Sequence, residues 1–275
     1  MKAIIRIFAF LGFISIGGLF VSIIGGLAGS AADADILAPF SAVWAPEQGL
    51  YGVMPMIAST LVTALLAVLM ALPLAAGILG CIWIFNNRLT HSLRWLVRFM
   101  SGIPTVVYSF CGLFILVPFF RQLWGGSGYN VLTVSVALCF LILPTVVIVA
   151  DSALYPLMSK PQGLTLTTSA LGMTRTAAFM RAALYIQRKW LVTAVLLGFS
   201  RALGDTMVAL MLSGNVPLAP SGILEPVRTL SGHISLLAAT EINAQVQYTL
   251  FLSGFLLFAA ALGVNLCATV LRKRQ

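Results

Sequence analysis

The sequence predicts an all-α membrane protein with six transmembrane helices, and three observations carry that expectation. The 275 residues are 60% hydrophobic and only 8% charged, with a mean hydropathy of +1.04. A soluble domain holds roughly 45–50% apolar and about 25% charged residues. So few charges cannot cover so apolar an interior, and a soluble globular fold is excluded. Six apolar stretches, 7–28, 54–85, 103–120, 131–158, 191–212 and 246–271, come near or exceed the ~20 residues that cross a ~30 Å hydrocarbon core. Between them the basic residues fall almost entirely on alternate loops.

The first stretch follows Lys2 and Arg6 and resembles a signal peptide, with Gly26, Ala28, Gly29, Ser30 and Ala31 as small residues for cleavage. Its length exceeds the roughly 7–15 residues of a usual signal core, so it reads as a retained span. The second stretch is too long for a straight crossing and carries Pro55 and Pro73, which predicts a kink or a run past the interface before Asn86-Asn87. Segment 91–100 is amphipathic, with Arg94 and Arg98 four residues apart and Leu93, Leu96, Phe99 and Met100 as apolar partners. It is expected at the cytoplasmic interface, as a basic anchor or a docking site, before Ser101-Gly102-Ile103-Pro104 turns the chain into the third span. The loop 159–190 reads as a short helix at 166–171, a break at Gly172, and a longer helix from Thr174 into the fifth span.

Charge placement sets the orientation. Lys2, Arg6, Arg88, Arg94, Arg98, Lys160, Arg175, Arg181, Arg188, Lys189, Arg272, Lys273 and Arg274 lie on one side, with no acidic residue among them. Arg121 and Arg228 face Asp33, Asp35, Glu47, Glu225 and Glu241 on the other. The positive-inside rule then makes both termini cytoplasmic. The net charge of +9 therefore marks a membrane surface, and no nucleic-acid partner is expected. Trp83, Trp95 and Trp190 fall near cytoplasmic boundaries, and Trp44 and Trp124 near external ones, as in an aromatic belt. Cys81, Cys111, Cys139 and Cys267 form no CxxC pair and read as small buried hydrophobes.

A charge at the bilayer centre costs about 2.5–3.5 kcal/mol on insertion scales, so each one requires a reason. Arg201 is the eleventh residue of the fifth stretch, near the midplane, and Asp205 follows at i+4 on the same helical face. The two form either an internal ion pair or a polar face lining a solute path, where a guanidinium offers several donors to an anion. Gly198 with Ala202, and Ser200 with Gly204, make small-xxx-small steps that predict close helix packing. Asp151, near the cytoplasmic end of the fourth span, pairs with a cytoplasmic base or serves in gating.

Ser169, Ala170, Leu171, Gly172, Met173, Thr174 and Arg175, with Leu184 twelve residues after Gly172, resemble the coupling loop of ABC importer permeases. Residues 101–108 (SGIPTVVY) and 200–207 (SRALGDTM), with Ser213-Gly214-Asn215, narrow this to a resemblance to the permeases of the phosphate-specific (Pst) system, from about Met54 to Leu271. The chain has Leu166-Thr167-Thr168 where the family loop opens with Glu-Ala-Ala, Tyr185 where it has proline, and Asp205 where it has glutamate.

The resemblance implies a type I ABC importer permease fold, with Arg201 and Asp205 as pathway residues and 169–175 as the turn that docks on an ABC ATPase subunit. A second, paralogous permease and a periplasmic phosphate-binding protein complete the implied complex in the bacterial inner membrane. The chain has no GxxxxGK[ST] motif, so it is read as no enzyme and without a cofactor, ATP being bound by the partner ATPase. It divides into an N-terminal span and periplasmic loop (1–53), a permease core (54–271) containing the coupling loop (159–190), and a basic tail (272–275). A permease for sulfate, molybdate or tungstate, and a membrane sensor or assembly subunit that transports nothing, remain alternatives. An intramembrane enzyme is disfavoured, since no His/Glu cluster, HExxH or GxSxG with partners is present.

Overall fold

A computed structural model describes residues 18, 21–30, 35–85, 88–158, 172–181, 185–239 and 243–273. Most of the first apolar stretch, the helix expected at 166–171, and Ser169, Ala170 and Leu171 of the expected coupling turn lie outside the described residues.

The described chain is mostly helical. In order come α1 (Val21–Ser30), α2 (Met54–Ile84), α3 (Arg88–Ser101), α4 (Thr105–Trp124), α5 (Val131–Met158), α6 (Arg175–Arg181), α7 (Arg188–Gly204), α8 (Met207–Leu212), α9 (Leu230–Leu237) and α10 (Ala244–Lys273). A small antiparallel hairpin, β1 (Trp44–Ala45) and β2 (Leu50–Tyr51), pairs Trp44 with Tyr51 ahead of α2.

Among the described residues, α2, α4, α5 and α10 are long and apolar enough to cross a membrane. The chain is therefore a multi-pass membrane protein. At 1.5 Å per residue, the 31 residues of α2 span about 46 Å. They remain helical through Pro73, so the helix overruns the ~30 Å core, one of the two outcomes expected from its length. The third stretch starts as a helix at Thr105, because Pro104 (φ −59°, ψ 144°) holds the preceding turn extended.

The fifth stretch departs from expectation. It is not one continuous helix: α7 stops at Gly204, and α8 starts at Met207. Asp205 is extended at the break (φ −74°, ψ 127°), and its Oδ2 accepts the Val208 N–H at 2.8 Å. A short carboxylate side chain that bonds the backbone ahead competes with the helical ladder, and here that local bond ends the helix. Nor does one helix run from Thr174 into the fifth span, because α7 begins afresh after Gln187 (φ −106°, ψ 16°).

α5 is the most enclosed of the long helices. Its Val134, Leu138, Leu141 and Ile142 pack with Ala64, Ala67 and Ala71 of α2 and with Ala202 and Leu203 of α7. Small side chains let these backbones approach, as at a helix contact in lipid. A Cβ added to Gly198 would meet Val146 Cγ2 at 2.6 Å, so only glycine fits where α7 crosses α5. Ser135 Oγ, which also donates to Val131 O in its own helix, reaches Thr63 O on α2 at 3.2 Å. Of the cysteines expected to be buried, only Cys139 is. Cys81 is intermediate, while Cys111 and Cys267 lie on outward faces of their helices, and all four are free thiols.

Candidate functional site at the broken helix

Arg201 lies about 20 Å along α7 from Arg188, and about 15 Å past Leu191, where the fifth apolar stretch begins, which matches the mid-span position expected from the sequence. The same-face ion pair open to it in the sequence is absent. Arg201 Nη1 donates instead to Thr145 Oγ1 of α5 at 3.0 Å, and no Arg201–Asp205 pair lies within 4.0 Å. The cause is the break itself, which removes Asp205 from the α7 helical face and commits its carboxylate to the Val208 N–H. The Asp205 carbonyl accepts the Ser231 hydroxyl at 2.8 Å, which ties the break to α9. Arg201 remains close enough to act electrostatically on Asp205 and on Tyr108 of α4, whose hydroxyl donates to Met100 O at 2.8 Å.

The structure thus brings Arg201, Thr145, Tyr108 and the helix break together. Thr145 follows Pro144, which has no N–H to continue the α5 ladder, so a polar side chain sits at a locally weakened turn. Sequence reasoning missed Thr145. A hydroxyl beside an intramembrane proline was the available signal.

α4 approaches the same region through a π-turn at Gly112–Leu116. A Cβ on Gly112 would meet Leu212 Cδ1 of α8 at 2.7 Å, so the glycine seats α8 against α4. Single π-turns within helices recur at functional sites. The two small-residue steps of α7 separate. Gly198 and Ala202 are buried within this chain, whereas Gly204 is open, with nothing within 4 Å of a Cβ built there. The step of Ser200 and Gly204 makes no such close contact at Gly204 within this chain.

The turn Ser213-Gly214-Asn215 closes the far end of α8. Gly214 (φ 80°) and Asn215 (φ 55°) are both left-handed, a conformation asparagine tolerates better than most residues. Asn215 Nδ2 donates to Leu210 O at 2.7 Å, and Arg228 Nε donates to Asn215 O at 2.9 Å. These motif residues therefore build the loop that holds Arg228.

Beside that loop and outside the spanning segments, His233 of α9 is fully buried with its ring edge-on to Trp44 at 4.3 Å. Neither ring nitrogen has a hydrogen-bond partner among the described residues. Burial, reinforced by the Arg228 charge, pushes its pKa down to about 3. The unfolded chain takes up this proton near pH 6.5, so below that pH it binds more protons than the folded chain. This contribution is therefore present above about pH 6.5 and is lost progressively as the pH falls toward 3, by at most about 1.4 kcal/mol per unit. Thermal melts of the purified protein should drop steadily between pH 6.5 and 5, and His233→Leu should flatten that slope.

Asp151 lies toward the basic-loop end of α5 and pairs with Arg94 of α3 at 3.3 Å, a basic partner of the kind its position called for. Gly172 is left-handed (φ 71°), as expected of the helix-ending turn. Thr174 Oγ1 accepts the Ala177 N–H at 3.3 Å and so caps α6, which starts at Arg175. Met173 is half-buried between them.

An apolar helical bundle with membrane-length helices, and an arginine just ahead of a helix break, defines a multi-pass membrane protein with a polar site among its helices. No protein-family model matches the chain. It is 33% identical over 212 residues to the probable ABC transporter permease protein YqgH of Bacillus subtilis, covering 75% of this chain and 67% of that protein. It is 30% identical over 258 residues to the probable phosphate transport system permease protein PstC of Methanocaldococcus jannaschii, covering 83% and 78%. The phosphate transport system permease protein PstC of Xylella fastidiosa (strain Temecula1) is 29% identical over 257 residues, covering 86% and 78%. The chain belongs to the PstC family of ABC transporter permeases.

Proposed function

We propose that the chain is one permease subunit of an ABC importer that moves inorganic phosphate across the bacterial inner membrane by alternating access. In this reading it crosses the membrane six times in the type I permease arrangement, with both termini cytoplasmic. A paralogous permease completes the pathway, a periplasmic phosphate-binding protein delivers the solute, and a separate ATPase binds and hydrolyses ATP. This chain needs no cofactor of its own. Residues 169–175 dock on the ATPase, and Asp151 opens and closes its ion pair with Arg94 as the basic side of the path gates.

The observation that carries the reading is Arg201. The Arg201 guanidinium is anchored through one nitrogen to the Thr145 hydroxyl and forms no ion pair with a carboxylate among the described residues. Its remaining donors are available to an anion, and a planar guanidinium matches the oxygens of phosphate two at a time. The PstC names of the relatives favour phosphate over other tetrahedral oxyanions.

The test is uptake of radiolabelled phosphate by proteoliposomes holding the purified complex, with sulfate, molybdate and tungstate as competitors. ATP-dependent uptake that only unlabelled phosphate suppresses is expected. Suppression by another oxyanion at lower concentration would reassign the solute, and ATPase binding without any uptake would make the chain a sensor or assembly subunit.

A further inference from the structure

A second basic site lies away from Arg201, at the basic-loop end of the bundle. A cavity of about 290 Å³ opens between α2, α3 and α5, with Arg94, Arg98, Asp151, Ser152 and Tyr155 in its lining. That volume is at the small end of ligand pockets, which run from about 300 to 1,000 Å³. Two guanidinium groups face one carboxylate, so the cavity carries a net positive charge. Arg94 is held in place: it pairs with Asp151, and its guanidinium lies over the Trp83 ring at 4.7 Å from the centroid. Arg94 Nε and Trp83 Nε1 are buried donors with no acceptor among the described residues. Arg98, one turn further along α3, is exposed and makes no ion pair among the described residues. The site is thus rich in donors and poor in acceptors.

Two features surround it. On α5, Thr145, Ile148 and Ser152 fall at i, i+3 and i+7, so the cavity continues the helical face that meets Arg201. On α3, Trp95 and Phe99 are exposed and stack at 5.5 Å beside the arginines, an aromatic pair suited to an acyl boundary. The first feature suits a free anion leaving the path, and the second a lipid headgroup. The chemistry they share is a phosphate group.

We infer that Arg94 and Arg98 form a second phosphate-binding site on the basic side of this permease, separate from the mid-depth arginine. Basic pockets between transmembrane helices on the cytoplasmic side take anionic headgroups by the same chemistry. Asp151 keeps the Arg94 guanidinium aimed, and Arg98 supplies the charge that is not offset.

The experiment uses the full chain, purified with its complex and carrying Arg201→Gln, so that the mid-depth site does not contribute. In one arm, native mass spectrometry follows retained phosphatidylglycerol against phosphatidylcholine after extraction from nanodiscs containing both. In the other, calorimetry follows binding of inorganic phosphate in neutral detergent. Arg98→Gln leaves the Arg94–Asp151 bridge intact and should weaken one of these about tenfold, the scale of one lost charge-assisted contact. Arg98→Lys should restore part of it. Loss of phosphatidylglycerol alone identifies a lipid site, and loss of phosphate alone identifies a station on the transport path. Binding unchanged by Arg98→Gln and by Arg94→Gln in both arms, or no preference for phosphatidylglycerol together with no phosphate binding, overturns the inference.

Discussion

Arg201→Gln is expected to abolish ATP-dependent phosphate uptake while the protein reaches the membrane in normal amount. The arginine enters the fold through one bond to Thr145, so glutamine, which also donates, keeps the packing of α7 against α5. What glutamine lacks is the charge and the paired donors that meet two oxygens of an anion. A hydrogen bond to a charged group contributes about 1.5–3 kcal/mol, and losing two at mid-depth, where water compensates poorly, lowers uptake at least a hundredfold. Thr145→Val is the milder companion. It removes the hydroxyl that aims the guanidinium and leaves the charge in place, so a reduction of about tenfold is expected. Asp205→Asn should be milder still for folding, because the amide oxygen can accept the Val208 N–H as the carboxylate does. Full uptake by Arg201→Gln would move the solute path elsewhere in the complex.

The membrane class and the special position of Arg201 were legible because burial of charge in lipid leaves a compositional mark that needs no tertiary information. The left-handed turn at Gly172 was legible for a similar reason, since a single residue type suits that conformation. The relation between Arg201 and Asp205 was not. An i, i+4 spacing implies a shared face only if the helix is continuous, and whether Asp205 bonds an arginine behind it or the backbone ahead is decided by packing. α9 supplies that packing through Ser231, some twenty-six residues further on. For Thr145 the sequence offered only its place beside Pro144, because an interhelical hydrogen bond leaves no periodic signal in either helix. The small-residue steps of α7 carried the right physics, but one of the two steps is satisfied within the chain.

Gly172→Val is expected to uncouple the complex, with the permease still in the membrane and both ATPase co-purification and uptake largely lost. Gly172 has φ 71°, and nothing lies within 4 Å of a Cβ built there. A side chain therefore meets no clash, and the penalty is entirely in the backbone. A β-branched residue held at positive φ costs on the order of 1–3 kcal/mol, enough to move the turn to another conformation. That turn sets the direction in which the chain meets Thr174, the cap of α6. α6 is moored to the bundle through α2, with Ala178 and Phe179 buried and Phe179 part of the apolar cluster that α2 and α5 share. In the proposed complex, a push on the turn would pass through α6 to α2 and from α2 to α5, which carries Thr145 and Asp151. Redirecting the turn breaks that route at its first joint without disturbing the bundle. Gly172→Ala should show the same loss in smaller degree, because its strain is lower but of the same kind. Melting of the isolated permease should barely change in either variant, which separates uncoupling from unfolding. If Gly172→Val keeps both its ATPase and its uptake, docking lies outside this turn, and the force must reach α5 by another part of the basic face.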